Sequence, residues 1–94
     1  MKYFDWDKEK NERLRIERDI CFEDILTILE EKDFLDVVEH PNTIKYPNQK
    51  MFVIEWDEYV YLVPFVEDEE KYFLKTIIPS RKATKQYLEK KKLL

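Results

Sequence analysis

The chain has 94 residues, which suits one domain and leaves no room for a second domain or a deep cofactor cleft. Hydrophobic residues make up 44% of the chain and charged residues 40%, a balance typical of a globular core with a heavily ionised surface and not of a disordered chain. The longest apolar runs have the length of strands, far short of the roughly 20 residues that a membrane-spanning helix needs.

The first residues and the cysteine content both indicate a cytoplasmic protein. Asp5 and Asp7 interrupt the stretch in which a secretory signal would need an unbroken apolar core. Cys21 is the only cysteine and His40 the only histidine, so neither an internal disulfide nor a compact Cys/His zinc cluster is expected. The sequence therefore predicts a single domain over residues 1–94 with no metal, no cofactor and no membrane segment.

The charges are distributed unevenly along the chain. Residues 75–94 contain seven basic residues against Glu89 alone, whereas residues 1–74 contain ten basic and twenty acidic residues. The lysines at residues 90–92 add a non-specific attraction for anions. This polarity predicts two surfaces with different partners, an anion such as RNA at one and a basic protein surface at the other.

The first third of the chain predicts a strand followed by two helices. Residues 3–7 have the aromatic and acidic character of a short strand, and Asp7 is suited to cap a surface helix that ends near Asp19. From Phe22 onward, apolar residues recur at three- and four-residue spacing, which predicts the main core helix.

The rest of the chain predicts a sheet and a final helix. Four segments rich in β-branched and aromatic residues predict strands: residues 34–39, 51–56, 59–66 and 72–78. Asp57 and Glu58 make the turn of the central hairpin, and Ser80 can cap a basic helix that begins at Arg81. The expected fold is therefore α+β, with two N-terminal helices, an antiparallel β-meander and a C-terminal basic helix.

Three separated motifs resemble one known family. The motifs are Phe4-Asp5-Trp6-Asp7 with Lys10, Phe22-Glu23-Asp24, and Ile78-Pro79-Ser80-Arg81-Lys82-Ala83-Thr84. Their order and spacing, over nearly the whole chain, are similar to those of the BrnT-type toxins of bacterial toxin–antitoxin pairs. Two positions differ from that family's pattern: Arg18-Asp19 replaces a histidine-glycine pair, and no arginine follows Phe52-Val53.

The resemblance implies a RelE-like ribonuclease fold and cleavage of RNA, which the ribosome can present as messenger RNA. It also implies neutralisation by a cognate antitoxin protein, through which any contact with DNA would be indirect. Metal-independent cleavage of RNA requires a proton acceptor for the 2′-hydroxyl, cations near the phosphate and a proton donor for the leaving oxygen.

Three residues are candidates for this chemistry. Arg81 matches the closing motif of the family and can grip a phosphate through two parallel hydrogen bonds, although a solvated helix residue is the plainer interpretation. Lys85 follows one helical turn later and adds a point charge. His40 can act as a general acid or base, or it can simply bond to the backbone of its loop.

Four further residues are candidates for RNA binding. Lys10 belongs to a family-matched motif, and Lys45 with Tyr46 can offer a cation and a stacking ring from one loop. Tyr87 lies in the final helix and is the weaker candidate for proton transfer because an unperturbed tyrosine has a pKa near 10. Ordinary loop or helix packing remains an alternative for each of them.

The leading hypothesis is thus a toxin-like endoribonuclease. The alternative is a non-catalytic RNA- or protein-binding module of the same fold that acts in a regulatory complex, which the missing strand arginine favours. A third hypothesis, a small domain that binds another anion, predicts neither RNA cleavage nor an antitoxin partner.

Overall fold

The structure is a computed structural model that describes residues 2–89, and it has an α+β fold. The helices are Lys8–Arg18 (α1), Phe22–Glu30 (α2) and Arg81–Thr84 (α3), the last of which continues as a π-helical turn over Lys85–Glu89. The strands are Tyr3–Trp6 (β1), Asp36–Glu39 (β2), Lys50–Trp56 (β3), Tyr59–Glu67 (β4), Lys71–Leu74 (β5) and Ile78–Pro79 (β6). The basic end predicted at residues 90–92 lies outside the described residues.

Helix α1 begins and ends as the sequence predicts. The Asp7 carboxylate accepts hydrogen bonds from the backbone N–H groups of Glu9 and Lys10, at 2.8 and 3.3 Å, which satisfies donors that the first helical turn leaves without partners. Asp19 ends the helix in the left-handed conformation, with φ of 55°. A short polar side chain tolerates this conformation better than most residues do.

Helix α2 presents its apolar face to the sheet. Phe22, Ile25 and Leu29 are buried at the spacing that the sequence pattern predicted. The Asp24 carboxylate accepts a hydrogen bond from the backbone N–H of Cys21 at 3.0 Å, which closes the N-terminal end of the helix. The main core helix is therefore confirmed.

Asn11 joins the two N-terminal helices and is buried. Its side-chain oxygen accepts from the backbone N–H of Phe22 at 2.7 Å, and its amide nitrogen donates to the Glu23 carboxylate at 2.6 Å. One amide thus satisfies a buried donor at the start of α2 and fixes the angle between the helices. The same hydrogen bond from Asn11 is the largest cause that lowers the pKa of Glu23.

We expect the stabilising effect of Glu23 to depend on pH. A carboxylate whose pKa is lowered by folding adds stability above its unfolded pKa of about 4.3, and this stability is lost as the pH falls through the folded pKa. Urea unfolding of the protein and of Glu23→Gln should show a difference at pH 7 that shrinks towards pH 3. In an Asn11→Ala background the pH dependence should be smaller, and a difference that does not change with pH would contradict the assignment.

The sheet is mixed, which corrects the expectation of a wholly antiparallel sheet. Strands β2 to β5 form the predicted meander, but β1 lies parallel to β5, with Phe4 opposite Tyr72. The strand order is β1-β5-β4-β3-β2, and β6 pairs with β4. The central hairpin turns at Asp57 and Glu58, both left-handed, a turn geometry that matches the twist of the strands even without glycine.

The last predicted strand is divided into β5 and β6 because of Pro64. Leu74 pairs with Phe65 and Ile78 with Leu62, so one more residue separates the two pairs on the β5–β6 side than on β4. Lys75 donates its backbone N–H to the Pro64 carbonyl at 2.7 Å, but Pro64 has no N–H to return. In this segment the Ile77 carbonyl accepts from Arg18 at 2.6 Å instead.

Each face of the sheet has its own core. The core beneath α1 and α2 comprises Leu14, Ile20, Phe22, Ile25, Leu29, Phe52, Ile54, Val63, Phe65, Leu74 and Ile77. The core beneath the C-terminal helix, defined as α3 with its π-helical turn, comprises Val53, Val60 and Ala83, with Leu35, Val38, Leu62, Tyr87 and Leu88 packed against it. Tyr61 faces the first core while Val60 and Leu62 face the second, as expected for successive side chains of a strand.

Candidate functional site

The C-terminal helix is capped at its start and packs on the sheet through an apolar stripe. Ser80 caps it, since its hydroxyl accepts from the backbone N–H of Ala83 at 3.1 Å. Ala83 is buried against the sheet, and Tyr87 and Leu88 extend the same apolar stripe. The helix is consequently held in one position despite its short length.

Thr84 forms a second attachment between this helix and β4. Its hydroxyl donates to the Ser80 carbonyl at 2.7 Å and accepts from the backbone N–H of Val60 at 3.0 Å. Val60 is fully buried, so its N–H has no access to water as an alternative partner.

We expect Thr84→Val to destabilise the protein by about 1–3 kcal/mol, because valine keeps the shape of threonine but leaves the Val60 N–H without an acceptor. Thr84→Ser keeps the hydroxyl and should retain most of the stability. Urea unfolding of the two variants measures the difference. Equal stability of Thr84→Val and Thr84→Ser would show that the hydroxyl does not support the helix.

The outer surface of the C-terminal helix is positively charged. Arg81, Lys82 and Lys85 are exposed, and within residues 2–88 no carboxylate lies within 4.0 Å of any of them. Lys85 donates its backbone N–H to the Arg81 carbonyl, so the two side chains stand on successive turns, as predicted. This arrangement suits a phosphate group, which an arginine can bind through two hydrogen bonds and a lysine as a point charge.

Tyr87 connects the same helix to the edge strand β2. Its hydroxyl donates to the Asp36 carboxylate at 2.9 Å. Burial, followed by this hydrogen bond and the negative charge of Asp36, raises the pKa of Tyr87. The hydroxyl is therefore engaged in a structural contact, and the raised pKa makes it a poorer proton donor to a ligand.

The loop between β2 and β3 gathers three of the predicted residues. The rings of His40 and Tyr46 lie 4.4 Å apart between centroids, and the Lys45 ammonium lies 5.4 Å from the centre of the Tyr46 ring. Asn42 organises the loop, because its side chain and its carbonyl accept from the backbone N–H groups of Lys45 and Tyr46 at 3.0 and 2.9 Å. A histidine, a tyrosine and a lysine thus form one cluster.

The hydrogen bonding of His40 limits its chemistry. Its Nδ1 accepts from the backbone N–H of Asn42 at 3.1 Å, so the neutral ring assigned from this bond carries its proton on Nε2. Protonation of Nδ1 breaks the bond to Asn42. His40 can therefore donate a hydrogen bond from Nε2 as it stands, but it can act as a general acid only if the loop changes.

The predicted site residues fall into separate groups. One group lies on the C-terminal helix and the other in the loop, and no hydrogen bond or ion pair within residues 2–88 joins His40 to Arg81 or Lys85. By strand alternation, His40 continues the sheet face that the C-terminal helix covers. Lys10 lies on α1, in the layer on the opposite face of the sheet, and does not join either group.

Of two cavities in the described structure, one lies where the sequence predicted no site and the other lies beside a predicted residue. A cavity of about 630 Å³ opens beside the end of α2, with Phe4, Phe34, Phe52 and Tyr72 in its lining and none of the predicted residues. A smaller groove of about 200 Å³ follows the C-terminal helix and includes Tyr87. Sequence reasoning missed the larger cavity because its aromatic rings come from three strands and from the loop before β2, which are far apart along the chain.

No protein-family model, curated protein or solved structure matches the chain. The likeness to the toxin family therefore stays a prediction that depends on its three motifs. Within residues 2–88, no three His, Cys, Asp or Glu side chains are grouped so as to hold a metal ion. No helix in that range is both long and apolar enough to cross a membrane.

Proposed function

We propose that the protein is a toxin-like endoribonuclease of a bacterial toxin–antitoxin pair, acting in the cytoplasm on RNA without a metal ion. The observation that carries this proposal is the exposed set of cations on the C-terminal helix, anchored by Ala83 and Thr84. Cations held in fixed positions stabilise charge on a phosphate at little cost in reorganisation. The family-like motif at residues 78–84 supplies two of these cations, Arg81 and Lys82, and Lys85 follows directly after it.

In this proposal, Arg81 binds two oxygens of the scissile phosphate and Lys85 adds its charge from the next turn. Attack by the 2′-hydroxyl oxygen, which passes its proton to water, forms a cyclic phosphate and breaks the bond from phosphorus to the 5′ oxygen, which takes up a proton. Both cations counter the negative charge that builds on the phosphate oxygens during this step. His40 donates from Nε2 to the RNA, and it supplies the proton once its bond to Asn42 opens.

The same charge distribution supports a protein partner. An antitoxin that covers Arg81, Lys82 and Lys85 would block access of RNA to the helix, and complementary charge would speed its association. Residues 1–74 carry twice as many acidic as basic residues, which suits contact with a basic protein surface. Contact with DNA would come only through that partner.

The test is incubation of the purified, partner-free protein with a long RNA in chelator, both alone and with translating ribosomes. Cleavage in either setting is expected, and cleavage only with ribosomes would identify messenger RNA on the ribosome as the substrate. Intact RNA in both settings, with a protein whose circular dichroism shows it to be folded, would end the ribonuclease proposal.

A non-catalytic RNA- or protein-binding module is the second candidate function. The hydrogen bonds of His40 and Tyr87 favour it, because both side chains that the sequence offered for proton transfer are engaged within the protein. This module would bind RNA at the helix without cutting it. Binding without cleavage in the same assay separates the two functions.

A further inference from the structure

We propose that the half of the sheet that residues 2–88 leave open beside the C-terminal helix binds single-stranded RNA, with Phe73 stacking on a base and Lys75 and Lys71 contacting phosphates. The inference rests on the proposed function, because it names the surface through which the same substrate reaches the helix. None of these three residues was a candidate from the sequence.

Strand pairing places Phe73 on the same face as the C-terminal helix. Phe73 pairs with Val66 of β4, and side chains two apart along a strand point to one side, so Val66 shares its face with Leu62. Leu62 packs beneath the helix. The helix therefore covers β2, β3 and the first part of β4, and the continuation of this face over β5 and β1 is Phe73 with Tyr3.

Phe73 is an aromatic ring without a place in either core. Neither it, Val66 nor Tyr3 belongs to the two hydrophobic cores formed by the described residues. Tyr3 is 52% exposed and Phe73 is half-buried. A small domain normally uses its aromatic residues for burial, so two rings on an open sheet face indicate a surface for contact with a ligand.

Two lysines flank the Phe73 ring. The ammonium groups of Lys75 and Lys71 lie 5.4 and 5.7 Å from the ring centre. Lys71 is also 3.4 Å from the Asp5 carboxylate, which offsets part of its charge, whereas Lys75 is exposed. Lys75 is thus the main cation beside the ring.

The positive charge of the neighbouring segment favours a polyanion as the ligand of this surface. Residues 75–86 contain four basic residues and no acidic residue, so no negative charge along this segment separates Lys75 from Arg81. An aromatic ring with lysine ammonium groups within 6 Å of its centre provides both contacts that an unpaired nucleotide makes, stacking for the base and attraction for the phosphate. A duplex hides the faces of its bases, so single-stranded RNA fits this surface best.

The experiment measures binding of a labelled, single-stranded 2′-O-methyl oligoribonucleotide by fluorescence anisotropy. Blocking the 2′-hydroxyl prevents cleavage, so binding is read separately from catalysis. We expect Phe73→Leu to raise Kd at least about fivefold, since stacking on one base contributes roughly that much or more, and Phe73→Tyr to keep the wild-type Kd. We expect Lys75→Ala to make the slope of log K against log salt about 0.7 less steep.

Tyr59→Leu and Lys8→Ala are the matched controls, because they remove a half-buried ring and an exposed cation away from this surface. Near-ultraviolet circular dichroism checks the folding of each variant. A Phe73→Leu protein that is folded and binds as tightly as Tyr59→Leu overturns the proposed surface, even if the wild type cleaves RNA. Binding that depends on Phe73, in a wild-type protein that cleaves no RNA, supports the surface and rejects only the ribonuclease.

Discussion

Replacement of Arg81 by alanine is expected to lower the rate of RNA cleavage about a hundredfold to a thousandfold. A single fixed donor aimed at developing negative charge contributes an effect of about this size. Arg81 begins the C-terminal helix and is exposed, so its removal leaves the packing of Ala83 and the hydrogen bonds of Thr84 in place. The measurement is the initial rate of cleavage of a long RNA in chelator, with ribosomes added if the wild type requires them.

Arg13→Ala is the matched control for this prediction. Arg13 is also an exposed arginine on a helix, but it lies on α1, on the other side of the sheet. The Arg13→Ala variant loses the same positive charge as Arg81→Ala, and it should cleave RNA at the wild-type rate. If Arg81→Ala and Arg13→Ala have the same rate, the cations of the C-terminal helix do not act in cleavage and the proposed mechanism fails.

Phe22→Ala is expected to lower the free energy of unfolding by about 3–5 kcal/mol, the usual cost of deleting a large buried ring. Phe22 is fully buried and stacks on Trp6, with ring centroids 5.3 Å apart. Its removal leaves a cavity at the place where α2 meets β1. Because small domains are stable by only about 5–15 kcal/mol, this one change removes a large part of the total.

Urea unfolding followed by tryptophan fluorescence measures this effect, since Trp6 lies directly against the deleted ring. Ile16→Ala is the control, because Ile16 is 76% exposed and its loss should change stability by less than about 0.5 kcal/mol. Phe22→Leu retains part of the volume and should remain folded if the alanine variant does not. A loss of less than about 1 kcal/mol in Phe22→Ala would contradict the position of Phe22 in the core.

Local sequence signals predicted the helices and their ends well. Asp7 and Ser80 cap helices as expected, and Asp19 ends α1, because these signals depend on residues within a few positions of one another. The hairpin around Asp57 and Glu58 was predicted for the same reason. Periodicity likewise placed Phe22 on the buried face of α2.

The pairing of distant strands was not predictable in this way. Nothing near Tyr3 indicates that β1 lies parallel to β5, because that pairing joins segments almost seventy residues apart. The division of the last strand depends on Pro64, a residue of the neighbouring strand that lacks the N–H the ladder requires. Both features follow from hydrogen bonds that form only after the sheet has assembled.

The sequence by itself determined an α+β chain with a basic C-terminal segment and a single histidine, and its motifs and helical spacing made Arg81 and Lys85 candidates for binding phosphate. Only the tertiary structure decided that His40, Lys45 and Tyr46 form one cluster, that Tyr87 is bound to Asp36, and that two lysine ammonium groups lie over the half-buried Phe73 ring. The physical reason is the range of the interactions. Propensity and capping act within one element, whereas a binding surface is made where side chains from separate strands and helices reach the same face of the sheet.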